Sequence, residues 1–229
     1  MDADRYLERI GYEGGRDPSP RTLAALQRAH MLAVPFENLD IQLGRRLVLD
    51  PEANYRKIVE RSRGGWCFEL NGLFAGLLET LGFEVTLLGS RVHGTDWVSQ
   101  DLAHLLLLVH LDEPWVADVG FGAGQEFEPV RLAELPDRVI PHADGLSVHF
   151  STEPRAIDDF QQVCDELQTS PDSGFVRTRV AHRAVPGGRI SLRELTLTEQ
   201  VGERSSEREL SGEEEWRVVL RERFDLILD

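Results

Sequence analysis

The chain has 229 residues, 41% hydrophobic and 28% charged, the balance of an ordinary soluble globular protein and long enough to bury a substantial core. A formal net charge of −15, with Lys57 the one lysine, speaks against nucleic acid as a partner and offers no long-range pull on an anionic ligand, which would need a few local arginines. Two cysteines, Cys67 and Cys164, are too few for a disulfide framework and fit a reducing cytoplasm, while the longest apolar run, residues 105–109, is far too short to span a membrane. The opening residues carry no basic, then apolar, secretory pattern, so no export signal is expected.

Residues 4–10 read as a short first helix ending at Gly11. Ser19-Pro20 supplies a cap followed by proline at the first helical position, and Leu23, Leu26, His30 and Ala33 form the stripe of a second helix that must stop before Pro35. The stretch Val34-Pro35-Phe36-Glu37-Asn38-Leu39-Asp40 follows no helical period. Asp50-Pro51 repeats the cap-plus-proline signal and opens a third helix through Tyr55, Ile58 and Val59. Then comes Arg63-Gly64-Gly65-Trp66-Cys67-Phe68-Glu69-Leu70-Asn71. Two glycines release the backbone, and from Cys67 onward Leu70, Leu73, Phe74, Leu77, Leu78 and Leu81 fall at three- and four-residue steps, with Gly82 where a C-terminal cap belongs. The thiol of Cys67 is thereby expected at the positive end of a helix dipole, which favours a thiolate and makes the residue a candidate nucleophile. Taken alone, a free cysteine is more often a small core hydrophobe.

Beyond this helical third the period changes. Residues 84–92, 102–111 and 115–119 are strand-like, and Asp112-Glu113-Pro114 is turn chemistry that makes the last two an antiparallel hairpin. His104 opens one strand and Asp118 closes the other, on the same face. A turn centred on Glu113 would leave them diagonal, so direct contact needs a bulge or a shifted turn. Gly120-Phe121-Gly122-Ala123-Gly124 follows a strand without opening a helix and reads as room for a ligand beside the backbone. Residues 125–155, with prolines at 129, 136, 141 and 154, suggest loops and short strands; residues 161–168 fit helix or strand; Thr169-Ser170-Pro171-Asp172-Ser173-Gly174 is a loop. Strands are expected at 175–181, 189–192 and 195–199. Ser211 with Glu214 forms a capping box for a last helix through Trp216, Val219, Leu220, Arg223 and Phe224.

A cysteine at a helix start, a histidine on a strand and an aspartate on the next strand make a nucleophile, base and orienter set. The imidazole takes the thiol proton, and the carboxylate holds the ring in the useful tautomer. Singly, His104 and Asp118 are weak signals, since core histidines and strand-end acids are common.

With these blocks in view, the chain resembles the arylamine N-acetyltransferases. Val34-Pro35-Phe36-Glu37-Asn38-Leu39, Arg63-Gly64-Gly65-x-Cys67-Phe68-Glu69-x-Asn71, Ala103-His104-Leu105-Leu106-Leu107-Leu108-Val109 and Asp118-Val119-Gly120-Phe121-Gly122 come in that family's order, as do Thr169-Ser170-Pro171-x-Ser173-x-Phe175 and Leu195-Thr196-Leu197-Thr198-Glu199. The resemblance implies an α+β fold with a core shared with cysteine proteases: a helical N-terminal bundle (1–83), an antiparallel β-barrel (84–185) and a C-terminal α/β lid (186–229). It implies Cys67, His104 and Asp118 as catalytic triad. It also implies acetyl-coenzyme A as co-substrate without a metal, and an arylamine or hydrazine as acceptor. Phe36, Ala103 and Phe121 are candidate contacts to the amine, and Gly122, Ser173 and Phe175 to the coenzyme. Glu37 and Arg63 are candidates to pair and hold the cysteine loop.

The interval from Gly122 to Thr169 is shorter than in the family, so the barrel is expected to be abbreviated; Ala103 replaces a more usual threonine or glycine, and Asp172 adds a negative charge to a loop used near the coenzyme. An amide synthase of the same fold, a cysteine hydrolase and a binding scaffold without turnover are the rival readings. All the enzymatic ones need a sulfur that a reactant can reach and a His104 ring turned toward it.

Overall fold

Ser19 and Asp50 act as their sequences require. The Ser19 hydroxyl accepts the Thr22 N–H at the start of α2 (Pro20–Ala33), and Asp50 accepts the Ala53 N–H at the start of α4 (Pro51–Tyr55), each with proline in the first turn. The computed structural model describes residues 1–122, 128–142 and 145–228. Before α2 lies α1 (Ala3–Arg9); between α2 and α4 lie β1 (Phe36–Glu37) and the single turn α3 (Leu39–Gln42). α4 runs on as a π-helical turn, Arg56–Glu60, so the third expected helix is present but changes its winding midway. α5 (Cys67–Thr80) begins at the cysteine as expected. Leu70, Leu73, Phe74, Leu77 and Leu78 are all essentially solvent-free, each contributing about 1.5–3 kcal/mol by burial.

The β-rich part is a six-stranded antiparallel sheet in the order β5-β4-β3-β2-β7-β6, curled as a half-barrel. Its strands are β2 (Glu84–His93), β3 (His104–His110), β4 (Pro114–Ala117), β5 (Val130–Arg131), β6 (Val139–Pro141) and β7 (Ser147–Arg155). A register shift between Leu88 and Ser90 where β2 meets β7 bends the sheet. β3 is buried on both faces: Leu105, Leu107 and Val109 pack toward α5, and Leu106 and Leu108 toward Leu88, Val116 and Val148. This explains why its sequence is an unbroken apolar run with no alternation.

The remaining elements are α6 (Gln161–Thr169), α7 (Gly174–Arg177), β8 (Val180–Val185), β9 (Gly188–Arg193), β10 (Thr196–Val201), β11 (Arg204–Glu209) and α8 (Glu213–Phe224). A second sheet runs β1-β8-β9-β10-β11, so its edge comes from the helical third. One face of it packs under α8 through Ala181, Ile190, Leu192, Leu197, Trp216 and Leu220. The division expected between residues 185 and 186 falls in the turn of the β8–β9 hairpin.

Two local expectations are corrected and one ambiguity is settled. Phe175 lies in a helical turn rather than a strand, because the Ser173 hydroxyl accepts the Phe175 N–H and caps α7. Residue 161 opens a helix, settling that ambiguity. At α8 the box is shifted by one: Gly212 is the cap position, and Glu215, not Glu214, reaches back to the Ser211 N–H and hydroxyl (2.7 and 2.8 Å).

Candidate active site

The site begins with a glycine that admits no side chain. A Cβ at Gly64 would sit 2.2 Å from the Pro35 carbonyl oxygen and 2.7 Å from Glu37 Cγ, so the cysteine loop lies flat against β1. Glu37 N–H donates to the Gly65 carbonyl (2.8 Å) and Gly65 N–H to that of Pro35 (3.3 Å). Charges close the same contact. Arg63 donates to Glu37 (2.7 Å) and Asp40 (3.1 Å); Lys57 donates to Asp40 (2.9 Å) and to both oxygens of Glu69 (2.9 Å); Glu69 accepts the Trp66 N–H (3.1 Å). All five charged side chains are buried. Burial opposes the ammonium charge of Lys57, yet Glu69, Glu37 and Asp40 hold it above its ordinary range. The expected Glu37–Arg63 pair is therefore present, but as one link of a longer chain. Nothing in the sequence assigned Lys57, Asp40 or Glu69 to that chain. The available signal was a solitary lysine beside the apolar Ile58 and Val59 stripe.

Cys67 opens α5, and the segment after β4 descends onto it. A Cβ on Gly120 would lie 2.8 Å from Cys67 Cα, 3.0 Å from its carbonyl oxygen and 2.8 Å from Asn71 Nδ2, so only glycine allows this approach. His104 reaches the site through the hairpin register. Leu107 pairs with Ala117 and His110 with Pro114, centring the turn on Asp112 rather than Glu113. That one-residue shift halves the diagonal offset between His104 and Asp118. Their side chains meet, with Nε2 and Oδ2 2.7 Å apart.

Asp118 takes Nε2, which leaves Nδ1 as the ring nitrogen that can serve Cys67, whose sulfur is close enough to raise the pKa of the imidazole. Burial works against a charge on His104, but the Asp118 carboxylate and the Cys67 sulfur raise it to about 10, so the ring is cationic at neutral pH. Burial likewise penalises the Asp118 carboxylate, but His104, Asn71 and the Gly120 N–H outweigh it and hold the group below its usual range. Asp118 Oδ1 accepts from Asn71 Nδ2 (2.8 Å) and Gly120 N–H (2.7 Å), and its own N–H donates to Gln27 Oε1 (3.2 Å).

Cys67 and His104 are each 3% exposed. The enzymatic readings need a sulfur within reach, and the structure sets Cys67, the candidate nucleophile, deep beside His104. The Ala103 carbonyl oxygen lies 4.0 Å from Cys67 Sγ. Phe121, half-buried, stands T-shaped on His104 with ring centres 5.4 Å apart. Phe36 packs beside Gly122, Phe175 (6.4 Å) and His182 (5.9 Å), and Phe175 is T-shaped on Trp66 (5.5 Å). Ser173 spends its hydroxyl on the Leu167 carbonyl (2.6 Å) and on capping α7. Ala123 and Gly124 of the glycine loop lie outside the described residues. Gln27 and His182 are neighbours that the pattern did not single out, while Asn71, one helical turn past Cys67, stands in the cysteine block without an assigned role.

Among the described residues no cluster of three or more His, Cys, Asp or Glu side chains could hold a metal, and no helix is long and apolar enough to cross a membrane. Both cysteines are free.

A family profile described as N-acetyltransferase matches residues 21–145 and 147–229. The arylamine N-acetyltransferase pineal gland isozyme NAT-3 of Gallus gallus is 33% identical over 276 aligned positions, covering 100% of this chain and 95% of the relative. Arylamine N-acetyltransferase 1 of Homo sapiens is also 33% identical, again over 100% of this chain and 95% of its own length. Among solved structures, the arylamine N-acetyltransferase of M. smegmatis superposes with a TM-score of 0.91 at 31% identity, over 100% of this chain and 93% of that one. That of Mycobacterium marinum in complex with CoA gives 0.89 at 30% identity, over 98% and 92%. With the profile spanning most of the chain, relatives this similar over its whole length, and the same fold, this protein is a member of the arylamine N-acetyltransferase family.

Proposed function

We propose that this protein moves an acetyl group from acetyl-coenzyme A to an arylamine or hydrazine through a thioester on Cys67. The observation that carries the reading is the His104 ring, held 2.7 Å from Asp118 through Nε2 and close enough to Cys67 for the sulfur to raise its pKa. His104 takes the thiol proton, which leaves the Cys67 sulfur as the nucleophile. The sulfur attacks the thioester carbonyl; coenzyme A leaves as a thiolate, takes the proton from His104, and acetyl-Cys67 remains. The amine then attacks the acetyl carbon, His104 receives the amine proton, and the Cys67 thiolate departs with the N-acetylated product released. The Cys67 N–H at the start of α5 is the first donor for the oxyanion in both steps. Phe36 and Phe121 supply flat walls for an aromatic acceptor, and Gly122 and Phe175 a path for the coenzyme. Two unpaired cysteines fit a cytoplasmic location.

Intact-mass measurement tests this. Acetyl-coenzyme A alone is expected to add one acetyl group at Cys67, stable until an arylamine discharges it, with no adduct in Cys67→Ser. Discharge at the same rate without amine would make the enzyme a hydrolase, and no adduct at all would remove the acetyl-thioester route.

A further inference from the structure

The six-stranded sheet begins at β5 and ends at β6, and its curl brings those two ends together. Val116 and Val130 from one end and Ile140 and His142 from the other wall a single cavity of about 20 Å³, with Gln27, Asp118 and Glu128 completing it. Nothing larger than a water fits in that space, so His142 stands close behind Asp118.

The β6–β7 hairpin puts His142 there. Pro141 pairs with Ser147, and the His142 N–H donates to the Leu146 carbonyl (2.8 Å), so the residue extends the line of β6 one step past its end. Its ring lies on Phe121, with centres 3.8 Å apart and planes 15° from parallel. Phe121 in turn meets His104 at 90° with centres 5.4 Å apart. Three rings, carried by β6, by the segment after β4 and by β3, thus run in a row from the edge of the half-barrel to His104.

Phe121 has a glycine on either side, and Gly122 stands at φ +84°, so the local backbone does little to aim the ring. What it packs against sets its direction: His142 covers one face, and the half-barrel core takes the rest. His104 needs such a neighbour. Asp118 holds it at Nε2 (2.7 Å), but one hydrogen bond fixes a nitrogen and not the plane of an imidazole. The perpendicular contact with Phe121 supplies the second constraint.

Resting on the acetyl-transfer reading above, we propose that His142 is a positioning residue for His104: by stacking on Phe121 it holds that ring against the imidazole and keeps Nδ1 aimed at Cys67. It acts by packing, takes no proton and touches no substrate.

Three substitutions separate the stack from bulk and from charge. His142→Ala removes the ring, His142→Leu restores apolar volume without a flat face, and His142→Phe restores the face without a titratable group. Single-turnover acetylation of Cys67, read by quenched mass analysis, should slow about tenfold in the alanine and leucine variants, with acetyl-coenzyme A and p-nitrophenyl acetate affected alike. The phenylalanine variant should return to within about twofold of wild type, and the half-saturating donor concentration should hold steady throughout. A second readout needs no turnover. The downfield proton NMR signal of the His104–Asp118 hydrogen bond, identified by its loss in Asp118→Asn, should shift or broaden in the alanine and leucine variants and match wild type in the phenylalanine one. A wild-type rate or signal in His142→Leu overturns the proposal, because volume alone would then suffice. Failure of His142→Phe to recover either one also overturns it, because the imidazole itself would then be required. Should His142→Ala fail to fold, the leucine and phenylalanine variants decide between them. Absence of acetyl-Cys67 in the wild type removes the acetyl-transfer reading, while the NMR comparison still decides the role of His142.

Discussion

Asn71 lies one turn beyond Cys67 on α5, and both ends of its amide are committed. Nδ2 donates to the Leu105 carbonyl (2.7 Å) and Asp118 Oδ1 (2.8 Å), and Oδ1 accepts the Val119 N–H (2.8 Å). One fully buried side chain thus ties the helix that begins at Cys67 to the strand that begins at His104 and to the Asp118 carboxylate. Asn71→Ala would leave the Leu105 carbonyl and the Val119 N–H unpaired and Asp118 free to turn. We expect a stability loss of about 2–3 kcal/mol in urea unfolding and acyl-enzyme formation about 100-fold slower by rapid-quench mass analysis. A variant acylated at the wild-type rate would show that the Gly120 N–H alone holds Asp118. The motif displays Asn71 openly, but its partners are backbone atoms tens of residues away, which no pattern of side chains announces.

At the scale of elements, α5 starts without a serine, threonine, aspartate or asparagine at its cap position. Glu69 folds back onto the Trp66 N–H instead, and Lys57, Asp40, Arg63 and Glu37 complete a buried chain of charges from α4 to β1. Breaking such a chain at Glu37 leaves the buried Arg63 guanidinium with only its longer contact to Asp40. Glu37→Gln should therefore cost about 3 kcal/mol of unfolding free energy, and it should slow acylation by loosening the loop that presents Cys67. Equal stability and rate in the variant would mean that Gly64 packing alone holds the loop. The helix itself was legible, since its apolar period and flanking glycines are local. β11 was not: Arg204–Glu209 is exposed throughout, and its strand state comes only from pairing with β10. β7 was obscured by Pro154, tolerated where the register with β2 breaks.

For the whole molecule, buried histidines of opposite tendency set the pH range of stability. Burial, reinforced by nearby arginines, lowers His30 to about 3 and His182 to about 4. Between those values and about 6.5 the unfolded chain binds protons that the folded chain does not, so stability falls on acidification by about 1.4 kcal/mol per pH unit for each group. Glu69, raised chiefly by burial, works the other way and offsets part of this limb. His104 is raised to about 10, so its contribution is complete below about 6.5 and is lost as pH climbs toward 10. Urea titrations from pH 4.5 to 9.5 should show a maximum near pH 6.5. In His104→Asn the alkaline limb should flatten while the acid limb stays. A wild-type profile level above pH 6.5 would contradict the charged state assigned to His104.

The helix that begins at Cys67, the hairpin bearing His104 and Asp118, and the blocks that mark the family are all legible in the order of the residues. These rest on periodicity, caps and turn residues, which act over a few positions. Tertiary structure decided the rest. It shifted the hairpin turn to Asp112, so that the imidazole and carboxylate touch. It laid Gly120 on Cys67 and left that cysteine 3% exposed. It also closed a chain of charges around the lone lysine and brought His182, more than a hundred residues away in sequence, to the edge of the site. Each depends on the distance between packed backbones and on the loss of water between buried charges, quantities that exist only once the chain has folded.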